Sequence, residues 1–93
     1  MPTSSDLVAE VEVTLPADVD LHARPAATFV RAAMPFASAI SIASGERTAD
    51  AKSLLAVLSL GARRGTSLRL RAEGEDAPAA AAALAAALGD LTE

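Results

Sequence analysis

Hydrophobic and polar positions alternate at the start of the chain. Leu7, Ala9, Val11, Val13 and Leu15 fall on one side, and Glu10, Glu12 and Thr14 on the other. A period of two with one polar side predicts a half-buried strand. After a polar break over Pro16–Asp20 the period changes. From Pro25 onward, Ala26, Phe29, Val30 and Ala33 recur at helical spacing, and Pro35 stops the run. Ala39–Ser44 is a second short strand with Ile40 and Ile42 on one face. Ser44-Gly45-Glu46 is a tight turn, and Arg47–Ala49 a short returning strand. Lys52–Leu58 predicts a two-turn helix with Gly61 as its C-cap. Thr66–Glu73 alternates again, with Leu68, Leu70 and Ala72 opposite Arg69, Arg71 and Glu73, until Gly74 breaks it. Pro78 opens a last helix to about Leu88, where Leu84 and Leu88 stand out from an alanine background that itself favours helix.

The element order is therefore β-α-β-β-α-β-α. Three strands with one apolar and one polar face call for helices on one side only. The expected fold class is α+β, an open-faced β-sandwich whose four-stranded antiparallel-type sheet is covered on one face by three helices. Ninety-three residues suit one domain, here 7–91, with residues 1–6 as a flexible N-terminal tail.

Charge adds a second layer. The net charge is −4, but residues 1–20 hold five acids and no base, 21–72 hold eight bases and two acids, and 73–93 hold five acids and no base. All the positive charge lies in the part of the chain that contains the single histidine, which suggests an electropositive face; ordinary solvated surface charge explains the asymmetry equally well. The acidic total and only two aromatics, Phe29 and Phe36, argue against nucleic-acid binding. No cysteine is present, so neither disulfides nor thiolate metal sites are expected. No apolar run approaches the roughly 20 residues of a membrane span, and 1–6 lack the features of a signal peptide, so a cytoplasmic protein is expected.

The chemistry concentrates on His22, in Asp20-Leu21-His22-Ala23-Arg24-Pro25-Ala26-Ala27, where the strand pattern ends and the helical one begins. A side chain at a helix start lies beside unpaired backbone N–H groups and the positive end of the helix dipole, both suited to phosphate oxygens. Arg24 adds a planar cationic fork. On the residues alone, a histidine there is more often an incidental helix cap. One histidine without a second, and without cysteine, makes no metal site, and no G-x-S-x-G elbow is present.

Leu21-His22-Ala23-Arg24-Pro25-Ala26 resembles the active-site motif of HPr, the histidine phosphocarrier family of the bacterial phosphoenolpyruvate:sugar phosphotransferase system. Lys52-Ser53-Leu54-Leu55-Ala56-Val57-Leu58-Ser59-Leu60-Gly61 resembles that family's regulatory-serine segment, and Ser53 follows His22 by the family's 31 positions. The resemblance implies a stoichiometric phosphoryl carrier rather than an enzyme, with no cofactor or metal of its own. His22 would accept the phosphoryl group on Nδ1 from phosphoenolpyruvate-charged Enzyme I and pass it to EIIA proteins or domains for sugar uptake. Arg24 would steady the group. Ser53 would be phosphorylated by an HPr kinase/phosphorylase. A nitrogen-related or dihydroxyacetone-kinase branch, or a non-catalytic regulatory binding domain, are the alternative readings.

The second segment also has a physical reading. Leu54, Leu55 and Leu58 exceed what so short a helix buries while Val57 and Leu60 also take core positions. They are expected to be partly exposed, as a docking patch beside His22. Lys52, Arg31, Arg63 and Arg64 are candidate rim charges. A monomer without membrane insertion is expected. Asp20 departs from the family pattern, standing where a Gly commonly precedes the Leu-His pair, with a charge positioned to oppose a phosphohistidine.

Overall fold

A computed structural model of the chain describes residues 7–92. The expected tail over 1–6 lies outside the described residues. The elements are β1 (Val8–Thr14), α1 (Ala23–Ala33), β2 (Ala39–Ser44), β3 (Arg47–Asp50), α2 (Leu54–Ser59), β4 (Ser67–Glu73) and α3 (Ala77–Gly89). All strand pairs are antiparallel, in the order β1-β4-β2-β3.

The alternation seen in the sequence becomes an apolar row across the sheet. Val11 pairs with Leu70, Leu70 with Ile42, and Ile42 with Ala49, so one residue from every strand lines the covered face at one level. Leu68, Leu70 and Ala72 are buried while Ser67, Arg69, Arg71 and Glu73 are exposed. On β1, an edge strand, Ala9, Val11 and Val13 are half-buried; Leu7, expected on the apolar side, lies beyond the strand end and is exposed. The three helices close the covered face. Phe29 of α1 is the largest side chain that is fully buried among the described residues, within a cluster that includes Leu15, Ile42, Val57, Leu84 and Leu88. The alanines of α3 bring that helix close to β1 and β4, with Ala77, Ala80, Ala81, Leu84 and Leu88 buried.

Two contacts that sequence periodicity does not reveal set the far end of the domain. Asp76, just ahead of α3, accepts hydrogen bonds from the backbone N–H groups of Ala37 (2.8 Å) and Ser38 (2.9 Å) and from the Ser38 hydroxyl. Gly74 has φ +147°, and a Cβ there would lie 2.9 Å from the Ser38 Cα, so glycine is required by both conformation and space. These bonds, led by the Ser38 hydroxyl, hold the Asp76 carboxyl below its ordinary 3.8. A carboxyl so lowered stabilises the fold above its unfolded-state value, and that contribution is lost as the pH falls below about 4. Equilibrium unfolding of Asp76→Asn should therefore show a shallower loss of stability between pH 4 and pH 2 than the unaltered chain; parallel profiles would contradict the assignment.

The blocks of charge in the sequence do not become blocks in space. Arg71 bridges Glu10 and Glu73 at 3.2 Å on the open face of the sheet, and Arg69 donates to the Gly45 carbonyl. Arg47 donates to the Ser59 carbonyl. The electropositive face read from the sequence is thus divided: antiparallel pairing sets β4 bases against β1 acids on the side away from the helices. Such exposed pairs contribute little stability.

Candidate functional site

The backbone places His22 at the N-cap of α1 in an extended conformation (φ −94°, ψ −167°), with its side chain exposed. Ser, Thr, Asp and Asn are preferred at an N-cap because a side-chain oxygen can accept a first-turn N–H. His22 forms no such cap. The N–H groups of Ala23 and Arg24 have no intrahelical acceptor, while Pro25, buried in the same turn, has no N–H to offer. Two donors and the positive helix end therefore face outward beside the imidazole, fewer than an ordinary first turn would supply.

Arg24 follows in the first turn and is exposed, and among the described residues its guanidinium makes no ion pair. The His22 N–H donates to the Asp20 carbonyl (2.9 Å) within the β1–α1 loop, and the Leu21 N–H donates to the Ala62 carbonyl (3.0 Å), tying that loop to the one after α2. A shallow depression beside the histidine is lined by Asp20, Leu21, His22, Leu58, Gly61, Ala62 and Arg63. A larger concavity lies on the open face of the sheet, around Glu10, Ser41, Thr48 and Arg71, among charged side chains partly paired with one another.

The second segment folds as its composition requires. α2 begins at Leu54, two residues later than the periodicity predicts. Ser53 is its N-cap, accepting from the Ala56 N–H at 3.2 Å, and the Asp50 carboxylate holds the Lys52 N–H at 2.9 Å in the preceding turn. Leu60 is the C-cap, and Gly61 beyond it takes φ +62°, the left-handed conformation that ends a helix. Val57 and Leu60 are buried, Leu58 is half-buried, and Leu54 and Leu55 are 38% and 79% exposed. The structure thus brings Leu58 to the edge of the His22 depression, with Leu54 and Leu55 exposed on the same helix. Met34, at the C-cap of α1, is a further exposed apolar side chain. It escapes sequence reading because the helical stripe ends just before it.

The rim charges fare differently. Arg63 lines the depression. Arg64 pairs with Asp20. The Lys52 ammonium donates to the Phe36 carbonyl at 2.6 Å, which engages it near the C-terminal end of α1. Arg31 is in the last turn of α1, about 13 Å along the helix axis from His22. Among the described residues no cluster of metal-ligating side chains occurs, and no helix is long and apolar enough to cross a membrane.

The described residues thus form an open-faced α+β domain with one exposed histidine at the start of its first helix and a short helix with outward leucines. Residues 9–90 match the family described as PTS HPr component phosphorylation site. The chain is 44% identical over 71 residues to the phosphocarrier protein HPr of Lysinibacillus sphaericus, covering 76% of this chain and 81% of that one. It is 39% identical over 89 residues to a multiphosphoryl transfer protein of Xanthomonas campestris, covering 96% of this chain but 11% of that much longer protein. The crystal structure of HPr from Bacillus anthracis superposes with a TM-score of 0.84 at 35% identity, covering 89% of this chain and 99% of that one. The chain belongs to the HPr family of phosphocarrier proteins of the phosphotransferase system.

Proposed function

We propose that His22 is the phosphoryl acceptor, taking the group on Nδ1 from phosphoenolpyruvate-charged Enzyme I and passing it to EIIA proteins or domains that serve sugar uptake. The observation that carries this reading is the position of His22: an exposed N-cap without a capping hydrogen bond, beside the outward N–H groups of Ala23 and Arg24. In transfer, the bond from donor to phosphorus breaks as the bond from the His22 nitrogen forms, in line, and the negative charge on the equatorial oxygens needs nearby donors. The two N–H groups and the Arg24 guanidinium supply them. The shallow surface leaves the group open to a second protein, which a relay requires. The chain is the carrier, phosphorylated and dephosphorylated in stoichiometric steps, in the cytoplasm where phosphoenolpyruvate is made.

Leu54, Leu55 and Leu58 form the docking patch for both partners, with Arg31 and Lys52 as outlying charges. Ser53 is a second acceptor, used by an HPr kinase/phosphorylase. A phosphate there would replace the Ser53 cap to Ala56 and set a dianion beside the exposed leucines, weakening docking. Residues 7–91 form the phosphocarrier domain, working as a monomer. The multiphosphoryl transfer relative, which carries a similar stretch as about a tenth of its length, supports a place among other phosphotransfer units. The test is a reconstituted relay: Enzyme I, phosphoenolpyruvate labelled in its phosphoryl group, and an EIIA protein, with and without the chain. Label should reach EIIA only when the chain is added. Equal labelling without it, or none with it, would overturn the reading.

A further inference from the structure

Asp20 and Arg64 are 44 positions apart in sequence and directly joined in space. The Arg64 N–H donates to Asp20 Oδ1 at 2.7 Å, and Arg64 Nη2 lies 3.2 Å from Asp20 Oδ2. Three further bonds link the same two loops: Leu21 N–H to the Ala62 carbonyl, Gly65 N–H to the Pro16 carbonyl, and Leu15 N–H to the Thr66 carbonyl. The Asp20 contact is a side-chain clasp at the end nearest His22, and Asp20 and His22 line one depression. The hydrogen bonds from Arg64, with a weaker attraction from Arg63, hold the Asp20 carboxyl below its ordinary 3.8, so it is ionised at neutral pH. An ionised carboxylate two residues before a phosphohistidine would oppose a group bearing nearly two negative charges, were it not balanced.

We infer that the Asp20–Arg64 pair is a positioning and charge-balancing device: Asp20 clamps the loop that presents His22, and Arg64 offsets the carboxylate so that a phosphoryl group is tolerated beside it. The inference rests on His22 being the acceptor. Asp20 holds this turn at negative φ, so the clasp forms without backbone strain.

A double-mutant cycle tests it. The equilibrium constant for phosphorylation is measured with Enzyme I at set phosphoenolpyruvate to pyruvate ratios. Arg64→Ala should lower it roughly threefold to tenfold, the effect of one uncompensated charge at short range in a solvated site. Asp20→Asn, which keeps an oxygen for the Arg64 N–H but leaves the guanidinium unbalanced, should raise it by a similar factor, and a fall would overturn the charge balance. Asp20→Asn combined with Arg64→Ala should restore it, which a purely structural clasp would not do. An unchanged Arg64→Ala protein, or a double variant as impaired as Arg64→Ala, would overturn the charge balance. Amide exchange at Leu21 and Arg64 reports the clamp without any phosphate. Asp20→Ala should speed both on the order of tenfold and Asp20→Asn should not; unchanged exchange in Asp20→Ala overturns the clamp. If the unaltered chain takes up no phosphate while the exchange result holds, the phosphocarrier reading fails and the clamp stands without its balancing role.

Discussion

Replacing Phe29 by alanine is expected to cost about 3–5 kcal/mol of folding stability. Phe29 is completely buried on the inward stripe of α1, and with no tryptophan or tyrosine in the chain the core has few large side chains. Its neighbours in the buried cluster are mostly leucine, valine and alanine, so a vacated ring volume would be filled only in part. A domain of this size has a total stability on the order of 5–15 kcal/mol, so the loss would take about a fifth of it or more. α1 also positions Ala23 and Arg24, and its loosening would disorder the presentation of His22. Urea unfolding followed by circular dichroism measures the change: a midpoint lowered in proportion is expected, and a shift under 1 kcal/mol would show that Phe29 does not anchor the core.

The second large effect separates surface from core. Leu55→Glu should leave the unfolding midpoint nearly unchanged, because the side chain is 79% exposed. It should slow phosphoryl exchange with Enzyme I by roughly tenfold to a hundredfold, the penalty for losing an apolar anchor and burying a carboxylate in an interface. The loss should fall on the concentration dependence more than on the maximal rate, since the histidine and its donors are untouched. Val57→Ala provides the contrast: Val57 is buried on the same helix, and its truncation should destabilise the fold while sparing exchange in the protein that remains folded. Kinetics of labelling across a range of chain concentrations decides between these. If Leu55→Glu exchanges at the unaltered rate, the leucines of α2 are not the docking surface.

The elements whose pattern is carried by neighbouring residues were legible without coordinates. The alternation of β4, the stripe of α1 and the turn at Gly45, with φ +60°, follow from local geometry and burial on one face. Boundaries shifted where a side chain competes with the backbone: Asp50 takes the Lys52 N–H and Ser53 the Ala56 N–H, so α2 starts late. Contacts between distant segments left no trace in periodicity. The bonds from Ala37 and Ser38 to Asp76, and the clasp of Asp20 with Arg64, join residues 38 to 44 positions apart. Charge misled for the same reason, since a block of bases along the chain says nothing of the strand each one faces. The candidate site was read from His22 at the junction of two hydrophobic patterns with Arg24 beside it, and the structure adds that His22 makes no side-chain cap. A histidine stands where a capping oxygen belongs, and such conflicts between local preference and fold concentrate at functional positions.

The most direct measurement is the chemical identity of the phosphorylated residue. The chain and His22→Ala are each incubated with Enzyme I and labelled phosphoenolpyruvate, and the bound label is followed through acid and base with the modified peptide mapped by mass spectrometry. One acid-labile, base-stable phosphoryl group is expected on the peptide containing His22, and none on a stably folded His22→Ala protein. Label that survives acid, or that persists in His22→Ala, would contradict His22 as the acceptor.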